Sequence, residues 1–145
     1  VTRTICFSNP KKYIKDIFTK VLKGHIAVVT TNLKKENTGN KIDFRARRFL
    51  KKDGYDYSHG TGHGVGYFLN VHEGPQSISS ASNVKFLPGM IISNEPGYYK
   101  ANSYGIRIEN LVVVKKSGNK YNLETLTLAP IDKKLIEIKL LSKSP

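Results

Sequence analysis

The chain has 145 residues, of which 39% are hydrophobic and 10% aromatic. That is one domain's worth of sequence, long enough to bury an apolar core, and no apolar run approaches the ~20 residues that a membrane-spanning helix needs. The formal net charge of +13 raises nucleic acid or an acidic surface as a partner, but the basic residues are scattered as pairs such as Lys34-Lys35 and Lys115-Lys116 with no interleaved aromatic stripe, so neither a nucleic-acid nor a membrane partner is expected.

The lone cysteine, Cys6, has no internal disulfide partner, so a cytoplasmic setting is the default. In chain order, Val1 to Phe7 is rich in β-branched and apolar residues and predicts a strand. Ser8-Asn9-Pro10 signals helix entry, with proline at the first turn. Ile14, Ile17, Phe18, Val21, Leu22 and Ile26 keep helical spacing and predict an amphipathic helix to about residue 30. His25 on that helix is expected to be a packing or surface histidine, not a ligand. After a turn at 37–40, Ile42, Ala46, Phe49 and Leu50 predict a second helix ending near Gly54. The stretch 55–83 is rich in glycine and serine, with a short strand expected at 65–70. Further strands are expected at 90–94, 106–115 and 125–128, with a turn at Asn119, and the lysine-rich tail 132–145 is expected as a short helix or a docked arm. Two early helices followed by mostly antiparallel strands make an α+β pattern.

The chemistry concentrates in His59-Gly60-Thr61-Gly62-His63-Gly64-Val65-Gly66 and Asn70-Val71-His72-Glu73-Gly74-Pro75. Three histidines fall within fourteen residues, set among glycines. Histidine is the commonest metal ligand and proton carrier near neutral pH. The Gly-Thr-Gly between His59 and His63 argues against a helix, so a helical zinc motif is rejected. Two carboxylates stand in apolar settings: Glu95 at a strand end before Pro96-Gly97, and Glu109 in Gly105-Ile106-Arg107-Ile108-Glu109-Asn110. Arg107 and Glu109 are two apart and share a strand face. The apolar run Leu111 to Val114 suggests that this strand is buried, and a buried carboxylate needs a partner or a metal. One imidazole with two carboxylates is an inventory of metal ligands.

These motifs, with Val1-Thr2-Arg3-Thr4, Val21-Leu22-Lys23-Gly24-His25-Ile26-Ala27 and Asn94-Glu95-Pro96-Gly97-Tyr98-Tyr99, closely resemble the C-terminal catalytic domain of the aminopeptidase P (Xaa-Pro aminopeptidase) family, eukaryotic cytosolic type. That family belongs to the "pita-bread" metallopeptidases, with prolidase and methionine aminopeptidase. The resemblance covers residues 1–131, leaving 132–145 as a tail. It implies a partial pita-bread fold, with two N-terminal helices packed on a curved, mostly antiparallel sheet. It implies two divalent metal ions, manganese before zinc or cobalt, that activate a shared hydroxide. His63, Glu95 and Glu109 match metal ligands. His59 and His72 match histidines that position substrate and hydrogen-bond the reacting carbonyl. Glu95 also matches a proton shuttle, and Arg107 an arginine supporting a bridging carboxylate.

Two further ligands of the family are aspartates that precede the Val-Thr-Arg-Thr motif, so three of the five expected ligands fall in this chain. Asp16, Asp43, Asp53, Asp56 and Asp132 stand in the wrong contexts to substitute. The resemblance therefore implies a fragment that begins just after those aspartates and is inactive alone. The implied partner is a peptide with proline in second position, and the implied assembly a homodimer. Two other readings stand beside it: a prolidase-like Xaa-Pro dipeptidase, and a non-catalytic pita-bread binding module.

Overall fold

The computed structural model describes residues 1–68 and 70–141. Two helices, α1 (Lys12–Val29) and α2 (Gly39–Lys51), precede seven strands: β1 (Gly62–His63), β2 (Ser77–Ile78), β3 (Ile91–Asn94), β4 (Gly97–Lys100), β5 (Tyr104–Arg107), β6 (Asn110–Ser117) and β7 (Lys120–Thr125). Every pairing is antiparallel, in three ladders ordered β1-β2, β3-β6-β7 and β4-β5. The α+β class expected from the sequence holds. No helix among the described residues is long and apolar enough to cross a membrane.

The helical periodicity decides which faces are buried. Ile17, Phe18, Val21 and Leu22 of α1 meet Leu50 of α2, Ile106, Ile108 and Leu135 in one cluster. Val28, Ile42, Ala46, Ile92, Val112 and Leu123 belong to a second, between the helices and the three-stranded ladder. The helices cross where α1 carries Gly24, and a Cβ there would lie 2.4 Å from the carbonyl oxygen of Ala46. Only glycine permits that approach.

Several expected elements are corrected. Residues 1–7 form no strand, and Thr2 makes a single bridge to Glu109. Instead of pairing continuously, the segment docks through side chains: Arg3 donates to the carbonyls of Glu109 (2.6 Å) and Ala129 (2.9 Å) and to Asn110 Oδ1 (2.7 Å). Helix α1 starts at Lys12 with Lys11 as its N-cap, so Pro10 precedes the first turn. The turn expected at 37–40 is cut short by α2, which begins at Gly39. The strand expected at 65–70 is absent from its described residues, and Leu69 lies outside them. Strand structure falls earlier, at Gly62–His63, where β2 offers a partner.

The run expected as one strand over 106–115 is two. The chain pairs with β4 up to Arg107, then with β3 and β7 from Asn110. The change of partner forces a break at Ile108–Glu109. The last strand is Lys120–Thr125, not 125–128, because the hairpin turn at Gly118-Asn119 sets its register, with Ser117 opposite Lys120. Strands β2 and β4 carried too little periodicity to be read. The tail docks through two single turns, Lys133–Leu135 and Ile138–Leu140, with Leu135 buried; residues 142–145 lie outside the described chain.

Candidate metal centre

Two segments converge. Strand β1 carries His63 along the edge of β3, and Glu95 follows β3 directly. A Cβ on Gly62 would fall 1.8 Å from the carbonyl oxygen of Ser93, so the crossing requires glycine. Three hydrogen bonds fix it: His63 N–H to Ser93 Oγ at 2.9 Å, Glu95 N–H to Thr61 O at 2.8 Å, and Val65 N–H to Ile91 O at 3.0 Å. Ser93 Oγ in turn donates to Glu95 Oε1 at 2.8 Å.

The result brings His63 Nε2 to 3.3 Å from Glu95 Oε1, with the Glu95 side chain 12% exposed. His63 Nδ1 lies 2.9 Å from the carbonyl oxygen of Gly64. A carbonyl only accepts, so Nδ1 carries a proton, and in the neutral ring Nε2 presents a lone pair toward Glu95. Two lone-pair atoms face each other there. A cation between them satisfies such an arrangement. A backbone bond on the far ring nitrogen is also the usual way in which a metal-binding imidazole is oriented.

A cleft of about 310 Å³ opens over this pair, lined by His59, Gly60, Gly62, His63, His72, Glu95 and Arg107. The rings of His63 and His72 lie 4.0 Å apart. Arg107 Nη1 stands 3.7 Å from Glu95 Oε2. Burial works against the Arg107 charge, but the Tyr99 hydroxyl, Glu95 and Glu109 outweigh it and raise its pKa.

Five of the six residues singled out in the sequence therefore share one cleft. Glu109 does not line it. Its carboxylate accepts a short hydrogen bond from the Thr2 hydroxyl, and its N–H donates to Thr2 O at 3.0 Å. Among the described residues, no three His, Cys, Asp or Glu side chains gather closely enough to hold a metal ion. Arg107 ends β5 and Glu109 lies in the strand break, while Ile106 and Ile108 are both buried.

His25 packs, as expected: it is 6% exposed, with Nδ1 against Ile108 O at 3.1 Å and Nε2 against Asn110 Nδ2 at 3.1 Å. Burial, helped by the nearby Arg3 charge, pushes its pKa down to about 4. Tyr99 was missed by the sequence reasoning. Arg107 Nε donates to its hydroxyl oxygen at 2.7 Å, and that hydroxyl lies 2.8 Å from His59 Nε2. Because His59 Nδ1 faces Gly60 O at 2.7 Å, in the neutral ring Nε2 is the acceptor and Tyr99 the donor. Ser93 was also missed, although its place two residues before Glu95 puts both on one strand face.

Residues 1–116 match metallopeptidase family M24. The chain belongs to that family. A protein from Coprinopsis cinerea named "Probable Xaa-Pro aminopeptidase P" is 50% identical over 99% of this chain and 25% of its own length. The crystal structure of the X-prolyl aminopeptidase from Caenorhabditis elegans, described as a cytosolic enzyme with a di-nuclear active site, superposes with a TM-score of 0.83 at 35% identity, covering 95% of this chain and 24% of that one. A prolidase from Pyrococcus horikoshii superposes with a TM-score of 0.78 at 32% identity, over 89% of this chain and 35% of that one. The M24 chain thus spans about a quarter of the length of the curated relatives that it matches. Its neighbours share the pita-bread fold, so the partial pita-bread architecture implied by the motifs holds as well.

Proposed function

We infer that this chain forms part of the active-site domain of a metal-dependent exopeptidase that releases the N-terminal residue from peptides with proline in second position. One observation carries the reading: His63 Nε2 and Glu95 Oε1 face each other at 3.3 Å in a cleft shared with His59, His72 and Arg107. The similarity to relatives named as Xaa-Pro aminopeptidases supplies the substrate class.

His63, Glu95 and Glu109 would hold divalent metal, two ions in the complete site; manganese suits a set of carboxylates with one imidazole, with zinc or cobalt as alternatives. When bound, the metal supplies Lewis acidity toward the scissile carbonyl. The rest falls to side chains. His72 donates to the oxygen that becomes negative in the tetrahedral state, a contact worth about 3–4 kcal/mol for one well-placed donor. Glu95 Oε2 carries a proton from the attacking water to the departing proline nitrogen. Arg107 holds Glu95 in place while it does so. His59 positions the substrate. Proline nitrogen offers no N–H in a peptide, so selection rests on ring shape and on the free α-amine.

On this reading the full-length protein acts in the cytosol as a homodimer. The cytosolic neighbour from Caenorhabditis elegans supports the compartment; the dimer rests on the family resemblance alone. The 145 residues by themselves, with three of the five implied ligands, are expected to bind metal weakly and to give no turnover. The similarity to a prolidase favours a second reading, a dipeptidase acting only on Xaa-Pro.

The deciding experiment is hydrolysis by the full-length, manganese-loaded protein of an Xaa-Pro tripeptide and an Xaa-Pro dipeptide, wild type against Glu109→Ala. Release of the first residue from the tripeptide, lost in the variant, supports the aminopeptidase. Cleavage of the dipeptide alone selects the prolidase reading, and equal rates for both proteins remove Glu109 from the site.

A further inference from the structure

The loop bearing His59 has no regular structure to hold it. Residues 57–61 belong to neither helix nor strand, so their carbonyls have no ladder partners and need donors from elsewhere. One side chain supplies two of them. Arg47, on α2 and 9% exposed, donates from Nη1 to Tyr57 O and from Nη2 to His59 O, each at 2.6 Å. The same guanidinium is anchored by two carboxylates, Asp43 Oδ2 on Nε and Asp56 Oδ1 on Nη1, both at 2.8 Å. Its plane lies 4.0 Å from the centre of the Tyr57 ring.

Asp43, 2% exposed, uses its other oxygen on the same loop, accepting from Thr61 Oγ1 at 2.6 Å. Since Thr61 donates there, it accepts from the Tyr57 hydroxyl, also at 2.6 Å. Thr61 O is the atom that receives the Glu95 N–H. From Arg47 to both His59 and Glu95, therefore, there runs a chain of short hydrogen bonds, 2.6 to 2.8 Å long.

We propose that Arg47 is a positioning residue for the reaction: anchored on Asp43 and Asp56, it grips the carbonyls of Tyr57 and His59 and thereby sets the loop that delivers His59 and, through Thr61, seats Glu95. The proposal rests on the peptidase reading of the cleft, since it assigns Arg47 to that chemistry. A guanidinium presents five N–H groups in a rigid planar fork and meets four acceptors here at once. An ammonium has three donors on a flexible stem and cannot reproduce the fork.

The test uses the full-length, metal-loaded protein with an Xaa-Pro tripeptide, and compares wild type with R47K, R47A and D56N. Misplacing a reacting group by about 1 Å costs on the order of 100-fold in rate. R47A is therefore expected to lose about that in kcat with KM within threefold, R47K to recover little of it, and added guanidinium ion to restore part of the R47A rate. Hydrogen exchange is expected to speed up at 57–63 and at the Glu95 amide while α1 and β6 keep their protection. D56N, whose carboxylate is half in solvent, covers the case in which R47A fails to fold, and is expected to show a few-fold kcat loss with the same loop-confined exchange.

A folded R47A or R47K with kcat within twofold of wild type overturns the proposal. So does exchange that rises equally in α1 and β6, because Arg47 would then only stabilise the fold. Unchanged exchange at 57–63 in D56N overturns it as well. If the wild type hydrolyses no Xaa-Pro peptide, the functional reading fails instead, and the exchange measurement still decides whether Arg47 sets the loop.

Discussion

His63 and Glu95 meet across two crossing segments, Nε2 to Oε1 at 3.3 Å, with the proton of the imidazole held on its far side by Gly64 O. With the imidazole neutral, neither facing atom has a hydrogen to share. Repulsion between them is relieved by a cation, and the same geometry that makes the pair a poor hydrogen bond makes it a good half-site for metal.

His63→Ala and Glu95→Gln in the full-length protein are accordingly expected to lower the metal content and to abolish hydrolysis together. Elemental analysis of dialysed protein is the check. Full metal occupancy in both variants would remove these two residues from the ligand set.

The crossing of β1 over β3 depends on Gly62. Alanine there drives a methyl group into Ser93 O, a backbone atom that cannot swing aside. Overpacking of this kind costs about 1–3 kcal/mol. Gly62→Ala is expected to lower the melting temperature and to weaken metal binding, because His63 must move with the strand. A variant with wild-type melting and metal affinity contradicts the crossing as described.

His25 makes stability depend on pH. Its pKa is about 4 in the folded chain, against about 6.5 when unfolded. Between those values the unfolded chain binds the extra proton, so stability is full above about pH 6.5 and falls as pH drops toward 4. The loss is on the order of 3 kcal/mol by the bottom of that window. Urea unfolding at several pH values, wild type against His25→Gln, reads it directly. Identical pH slopes in the two proteins would mean that His25 is not the group responsible.

The tail is held by Leu135, 1% exposed among Ile17, Phe18 and Val21, and by Lys23 Nζ on Leu140 O at 2.9 Å. Leu135→Ala is expected to destabilise by about 2–5 kcal/mol, the cost of a buried leucine truncation. An exposed leucine would lose almost nothing, so denaturant melts separate docked from free.

Both helices were legible because each buries one stripe at helical spacing, and the hairpin turn at Gly118-Asn119 because two turn-forming residues punctuate a β-rich run. Strand limits were less legible. Nothing local in Gly105 to Leu111 says that the chain leaves β4 and joins β3; the two partners arrive from elsewhere in the sequence. Thr2 to Thr4 has strand-like composition, yet its backbone has one bridging partner and Arg3 does the docking.

By itself, the order of residues determined the chemical inventory: which histidines and acids are present, that glycines let the backbone around them approach closely, and which family's motifs they form. Those are properties of side chains and short spacings. Tertiary structure alone decided which groups meet. It turned Glu95 toward His63, turned Glu109 toward Thr2, and recruited Arg47, a helix residue twelve positions before His59, to clamp the histidine loop. Such choices depend on how buried carbonyls and charges find partners across the fold. No local pattern encodes that, because the partners come from elements that fold together rather than follow one another.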